Sequence, residues 1–228
     1  MSKAAMRSWF TATALSFVAC AAAQAAPPRQ VEVDYDLLRN GMALAEVRDR
    51  LEHDAHSYTL TETWEGKGFL ALRGEAVRTS RGTVTPGGLR PREFEDQRSG
   101  RDPVRVRFDP PGAAPASPQH QDQLSYVWSF AFAPPGTKPV SVRVNDGRHT
   151  TTYVYRADGH ERLKTPAGEF DTLRLVKVKR EPQDKGTEIW LAVDHGNVPV
   201  RILVTQKDGT RIDTVATRVA APAKHPPQ

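Results

Sequence analysis

The side chains able to do acid–base or metal chemistry are scattered along this chain. Of its seven histidines, only His53 and His56 are close in sequence, with Asp54 between them. Two imidazoles and a carboxylate are zinc-type donors, but the three fall in a turn, where exposed polar residues are expected, and a metal there needs ligands from elsewhere. His195 follows Asp194, the combination of a general base and its orienting carboxylate, yet the sequence places no serine or threonine beside it. Glu62 lies between Leu60 and Trp64 at the inward parity of a strand; the ordinary role for such a residue is an ion pair at the sheet rim. No nucleophile elbow, phosphate-binding glycine loop or histidine-pair zinc motif is present, which weakens the case for an enzyme. For a hydrolase or lyase with an unrecognised site, Glu62, Asp194 and His195 are the residues to test. No cofactor is implied.

The aromatic residues offer a second kind of site. Trp64, Tyr126, Trp128, Phe130 and Trp190 are positioned to line a cavity between a curled sheet and a helix, where an apolar or lipid-like ligand would bind; the competing role is ordinary core. Arg98, Arg101, Arg105 and Arg107 form a basic stretch that either meets an acidic partner, making the protein an interaction or assembly module, or guards a solvated sheet edge against pairing.

Composition narrows these options. Lys3 and Arg7, the uncharged run Trp9 to Ala23 and the small-x-small Ala23-Gln24-Ala25 have the form of a signal peptide over residues 1–25, so the expected location is the periplasm. The run is too short and alanine-rich for a spanning helix. Cys20, the single cysteine, leaves with that segment, which rules out a disulfide or a thiolate metal site in the mature chain; lipid anchoring at Cys20 is the alternative. Losing Lys3 and Arg7 takes 32 bases to 30 against 27 acids, a balance too even to suggest nucleic acid. About two hundred residues remain, enough for one domain with its own core.

The elements that must position these residues are nearly all strands. After a disordered lead at 26–30, the alternating Val31, Val33, Tyr35 and Leu37, the turn pair Asn40-Gly41, the return strand Ala43 to Leu51 and a third strand through Tyr58, Leu60 and Trp64 predict a meander. Phe69 to Leu72 is a bend or single helical turn. Strands follow around 74–84, 90–98 and 104–108. The proline-rich stretch 110–121 is a surface loop, and Asp122 is an N-cap for an apolar helix over 123–132 that Pro134-Pro135-Gly136 ends. Further strands run through Val140 to Val144, Tyr153 and Tyr155, Phe170 to Arg180, Thr187 to Val193, Val198 to Val204 and 210–219. The parity change between Leu173-Leu175 and Val176-Val178 predicts a bulge near Leu175. Ile189, Trp190, Leu191 and Ala192 make both faces of one strand apolar, as in a strand covered on both sides. The reading is a single mainly β domain over 31–219, a strongly curved antiparallel roll or barrel with one short helix packed against it and a disordered tail at 220–228.

The hairpin over Tyr35 to Gly41, the Leu124-Ser125-Tyr126-Val127-Trp128 helix, the run Thr165-Pro166-Ala167-Gly168 with Phe170-Asp171-Thr172, and Glu188-Ile189-Trp190-Leu191 with Asp194, Gly196 and Pro199-Val200-Arg201 together resemble the exported bacterial family known as domain of unknown function 3108. The resemblance spans about Val31 to Val219 and implies an antiparallel, strongly curved β-roll and an envelope location. It brings no catalytic residues. Among its matched positions, Trp190 is read as core, Pro199 as a restraint at a strand edge and Arg201 as a partner for Asp194 or Glu188. Together these readings describe a non-enzymatic periplasmic protein that binds an apolar ligand or an envelope partner.

Overall fold

The computed structural model describes residues 26–109 and 119–220. The expected signal segment with Cys20, most of the proline-rich loop and nearly all of the expected tail lie outside the described residues. Alternation and turn chemistry dictate the first half. Strands β1 (Gln30–Arg39), β2 (Met42–His53) and β3 (Ser57–Gly66) form the predicted meander. Asn40 and Gly41 take φ of 49° and 84°, the left-handed pair that a type I′ turn requires. A 3₁₀ turn over Gly68–Arg73 leads to β4 (Ala76–Thr85), β5 (Gly88–Arg98) and β6 (Val104–Arg107). Beyond the loop come β7 (His120–Asp122), helix α1 (Ser125–Phe132), β8 (Val140–Asn145) and β9 (Thr150–Thr165). The chain then adds β10 (Gly168–Lys177), β11 (Gly186–Ala192), β12 (Val198–Thr205) and β13 (Arg211–Ala220).

All thirteen strands join one sheet, in the order β6-β5-β4-β3-β2-β1-β13-β12-β11-β10-β9-β8-β7. Every pairing is antiparallel except β7 with β8, which is parallel, because the chain passes through α1 between them. The sheet curls without closing: β6 and β7 are its two edges and do not pair with each other. Side chains bring the ends together instead. Gln121 Nε2 on β7 donates to the Leu89 carbonyl on β5 at 2.6 Å, and the β8–β9 turn at Gly147 lies against Val104 on β6.

Helix α1 fills the concave side as a wedge with two buried faces. Leu124, Trp128 and Ala131 enter a core with Val31, Val33, Tyr35, Leu51 and Leu60, while Val127 and Phe130 enter a second core with Tyr155, Leu175, Ile189 and Leu191. The helix starts at Ser125, later than Asp122 alone suggests. Leu124 occupies the N-cap position, which corrects the expectation for Asp122; Asp122 Oδ1 instead accepts from the Leu124 and Ser125 amides at 2.9 and 2.6 Å and braces the turn that leads into the helix. Ile189, Trp190, Leu191 and Ala192 are all buried, as expected for a strand covered on both faces.

Register shifts account for the irregular positions. The predicted bulge is present, between Arg174 and Leu175 against β9. Pro199 is a correction: it stands within β12, an interior strand, at a register shift against Trp190 and Leu191, where a residue without an amide proton is tolerated. The basic stretch lies at a true edge, with Arg105 2.9 Å from Glu95 and Arg107 3.8 Å from Glu93 on β5. These acids offset the charge of the two arginines, whose side chains remain 66% and 75% exposed.

The β4–β5 turn shows how tightly the helix seats. Gly88 has φ of +106°, and a Cβ there would fall inside van der Waals contact of Ser129 Oγ and 3.0 Å from the Ser129 carbonyl oxygen, while the neighbouring Leu89 amide donates to Ser129 Oγ at 3.1 Å. Gly100 also has positive φ but faces open space. Gly88→Ala should therefore cost clearly more in urea unfolding than Gly100→Ala, for which about 1 kcal/mol is expected from backbone strain alone; equal costs would mean that the helix is not packed on this turn.

Candidate functional site

Two features stand out, a row of charged residues under the helix and a cleft at one end of the sheet. The row follows from pairing. Asp49 on β2 stands opposite Glu62 on β3, Glu62 opposite Arg78 on β4, and Arg78 opposite Asp96 on β5, so four ionisable side chains lie in line. Arg78 donates to Glu62 at 2.8 Å and lies 3.6 Å from Asp96, with its guanidinium 5.0 Å from the centre of the Trp64 ring. Arg98 holds Asp96 with bonds of 3.1 and 2.7 Å. Burial desolvates Asp96, but Arg98 and Arg78 outweigh that and keep its carboxyl below the usual range.

Asp49 has no such cation at hand. Its Oδ2 accepts the Trp128 indole N–H at 2.8 Å, and Oδ1 has no partner among the described residues. Burial, reinforced by the facing Glu62, pushes its carboxyl well above the ordinary value. Arg78, shared between Glu62 and Asp96, is the cation of the row, and Arg98 adds a second from a half-exposed position beside Asp96. Sequence reasoning identified Glu62 but missed Asp49. The signal was parity, since Asp49 falls between Val47 and Leu51 on the inward face.

A second buried cluster clips the start of the helix. Ser80 Oγ donates to Asp122 Oδ2 at 2.6 Å; with that proton committed, the Tyr58 hydroxyl donates to Ser80 Oγ at 2.9 Å. Ser125 Oγ donates to Gln121 Oε1 at 2.7 Å. Burial raises the Asp122 carboxyl despite these donors, and raises the Tyr58 hydroxyl. The cluster is well supplied with hydrogen bonds but contains no imidazole and no open face, so it anchors rather than reacts.

The expected aromatic set is divided between the cores. Trp128 and Trp190 belong to the first, Trp64 packs against it, Phe130 belongs to the second and Tyr126 packs against that one. Tyr126 stacks on Tyr155 with ring centres 6.2 Å apart, and burial lifts its hydroxyl to about 12. Trp190 donates to Glu161 and lies between the Arg174 and Arg201 guanidiniums. Arg201 itself is bonded twice to Asp213, at 2.9 and 2.7 Å, which corrects the expected pairing with Asp194 or Glu188; Glu188 is held by Arg174.

The cleft, about 1000 Å³, lies where the ends of β1 and β13, the β2–β3 turn and the β11–β12 connection converge. Its apolar wall includes Pro27, Val31, Tyr58, Val198 and Val219, and its rim carries Glu52, Asp54 and Asp194. None of the five expected aromatics lines it, nor does Glu62. His53 forms part of the wall. Its Nε2 lies 3.1 Å from the carbonyl oxygens of Pro27 and Pro28 and its Nδ1 3.3 Å from that of Asp54, and the ring meets Phe132 of α1 edge-on at 4.9 Å. The Asp54 carboxylate is held below its usual range by the His56 and Ser57 amides. Asp194 and His195 pair at 2.9 Å on a half-exposed turn, with His195 edge-on to Phe170 at 5.1 Å. Asp194 and His195 therefore meet each other but not Glu62. Among the described residues no group of three or more histidines, cysteines and carboxylates could hold a metal ion, and no helix is long and apolar enough to cross a membrane.

The model of a family designated protein of unknown function, DUF3108, matches residues 30–216. The chain belongs to the DUF3108 family. No curated protein matches it. Among solved structures, this DUF3108 chain is similar to a beta-barrel-like protein of domain of unknown function DUF1849 from Brucella abortus, with 6% identity and a TM-score of 0.48, covering 85% of this chain and 98% of that one. It is also similar to the MucA/MucB complex structure of Pseudomonas aeruginosa, at 20% identity and a TM-score of 0.38 over 86% of this chain and 53% of that one. A third similar structure is a DUF1329 family protein from Desulfovibrio piger, at 9% identity and a TM-score of 0.34 over 87% of this chain and 88% of that one.

The charged row has a measurable signature in this DUF3108 protein. Asp49 holds a proton in the native state that it releases on unfolding once pH exceeds about 4, so native stability falls as pH rises from there towards the elevated native value, by up to about 1.4 kcal/mol per pH unit for one proton. Asp122 contributes in the same direction. Asp49→Asn keeps an acceptor for Trp128 and removes one of the two titrations. Denaturation at pH 5, 6, 7 and 8 should show a shallower decline for the variant than for the parent; parallel profiles would mean that Asp49 is ionised in the fold.

Proposed function

We propose that this is a non-enzymatic binding protein that takes an amphipathic, lipid-like ligand in the cleft bounded by Val31, Tyr58, Val198 and Val219, with the apolar chain against that wall and the polar end at the rim. The observation that carries the reading is the cleft itself. Its size of about 1000 Å³ is at the upper end of the range for small-molecule sites, and its apolar wall with a few polar groups at the mouth is the usual composition of such sites. Trp128 and Phe130 fill the interior under α1, whereas at the end of the sheet the half-buried Thr59 and Val219 stand over the buried Val31, Tyr58 and Val198 and face the cleft, so the ligand is assigned there.

The rim selects the head group. Glu52, Asp54 and Asp194 line the mouth together with Arg29, and the hydrogen bonds to Asp54 hold its carboxyl below the usual range, so a zwitterionic head, which can meet both signs, is favoured over an anionic one. Export, as the leader implies, would place the protein among envelope lipids.

Protein prepared from the envelope of expressing cells should carry, in native mass spectra, an increment that organic solvent removes. Stripped protein should bind lysophosphatidylcholine more tightly than laurate in calorimetric titration. Val219→Trp, which fills the cleft from a half-buried position, should weaken lysophosphatidylcholine binding about tenfold or more, as loss of an apolar contact surface does. A bare native mass together with no heat on titration would reject the reading, as would unchanged affinity in Val219→Trp.

A further inference from the structure

We infer that the end of the sheet opposite the cleft is a docking surface for an anionic lipid bilayer. Among the described residues, the three most exposed large apolar side chains are Leu72, Phe69 and Met42, at 90%, 75% and 71%. All three lie at this one end. Phe69 and Leu72 belong to the 3₁₀ turn between β3 and β4, and Met42 follows the β1–β2 turn. The two connections are joined, because the Lys67 amide donates to the Leu44 carbonyl at 2.8 Å. Exposed phenylalanine and leucine on a short 3₁₀ turn are costly in water and have a natural destination in the interfacial layer of a membrane.

The connections that continue this end are basic. The β1–β2 turn meets the β12–β13 turn through Asn40 and Arg211, whose amides are each 2.9 Å from an oxygen of the other residue. The β10–β11 loop comes alongside, with Lys207 3.8 Å from Asp184. Arg39, Lys179, Arg180, Lys185, Lys207 and Arg211 are exposed on these three connections, against Glu181, Asp184 and Asp208, while Glu65 and Glu75 are exposed at the two ends of the β3–β4 turn itself, so the surplus of cations lies on the neighbouring connections. Asp184 and Asp208 are partly occupied by their own turns, accepting from the Glu181 and Thr210 amides at 3.2 and 2.9 Å. Apolar side chains beside surplus cations are the complement of an anionic lipid surface, where each additional base strengthens adsorption until salt screens it. The geometry is independent of any ligand in the cleft, and it turns the cleft away from the bilayer.

The test is co-sedimentation of the protein, purified from expressing cells, with vesicles of phosphatidylglycerol and phosphatidylethanolamine or of phosphatidylcholine alone. The parent should bind the anionic vesicles at least several-fold more strongly than the neutral ones, and high salt should weaken that binding. The double variant Phe69→Ser/Leu72→Ser, altered at exposed positions, should lose about tenfold or more of the binding, as should Lys185→Glu/Lys207→Glu, and neither should change lysophosphatidylcholine binding in the cleft. Equal binding to both vesicle types, or binding that survives both double variants, overturns the inference. A parent that ignores vesicles but captures an envelope protein through Phe69 and Leu72 overturns it in favour of a protein partner.

Discussion

Curling thirteen strands without closing them leaves two problems, an apolar concave face and two unpaired edges, and the seating of helix α1 answers both. Its two buried faces fill the concavity, each fully buried large side chain contributing about 1.5–3 kcal/mol relative to exposure. The residues leading into it, Gln121 and Asp122, bind Leu89 and Ser80 and so hold the β7 end of the sheet against β4 and β5. An eight-residue helix has little stability of its own. It exists because the sheet surrounds it, and the sheet keeps its curl because the helix is there.

The polar contacts under the helix specify its position more than they stabilise it. Asp49 accepts only the Trp128 indole, and Asp49, Glu62, Arg78 and Asp96 have been taken largely out of water at a cost, while Arg98 stays half exposed. Replacing such a row with apolar residues would cover the same surface, but Trp128 would lose the one feature that distinguishes its position from neighbouring ones along the groove. The facing pair Asp49 and Glu62 is tolerated because one of them keeps its proton, a solution available only where water is excluded.

The two ends of the sheet differ for reasons rooted in connection chemistry. At one end, the β2–β3 turn is short and capped by Asp54 and the β11–β12 connection is closed by the Asn197 amide on the Ala192 carbonyl, so they leave a cleft with an apolar wall. At the other, the helical β3–β4 connection and the β10–β11 loop project apolar and basic side chains outward. Antiparallel alternation sends every second connection to the same end, so a contrast in loop composition along the chain becomes a contrast between two poles of the molecule. The basic β6 edge, by comparison, has its arginines faced by Glu95 and Glu93 across its single ladder, and charged side chains on an edge strand disfavour pairing with another chain.

Local pattern determined much of this protein from sequence alone. Period-two alternation placed Val31, Val33, Tyr35 and Leu37 inside, Asn40-Gly41 set the first turn, the parity change at Leu175 marked the bulge, and the apolar run before Pro134 marked helix α1, because each depends on residues only a few positions apart. Parity also held the information that Asp49 faces inward, but a carboxylate among valines and leucines has no stated partner until Trp128, 79 positions away in sequence, is brought to it. Pro199 looked like an edge residue because its tolerance depends on a register shift in a neighbouring strand, and Arg201 looked like a partner for Asp194 or Glu188 because Asp213 joins it only through the pairing of β12 with β13. The cleft was invisible for the same reason, since its wall draws on residues from 27 to 219. Strand identity is a property of short-range sterics and solvation, whereas a site is a property of which distant strands become neighbours, and that only the folded sheet decides.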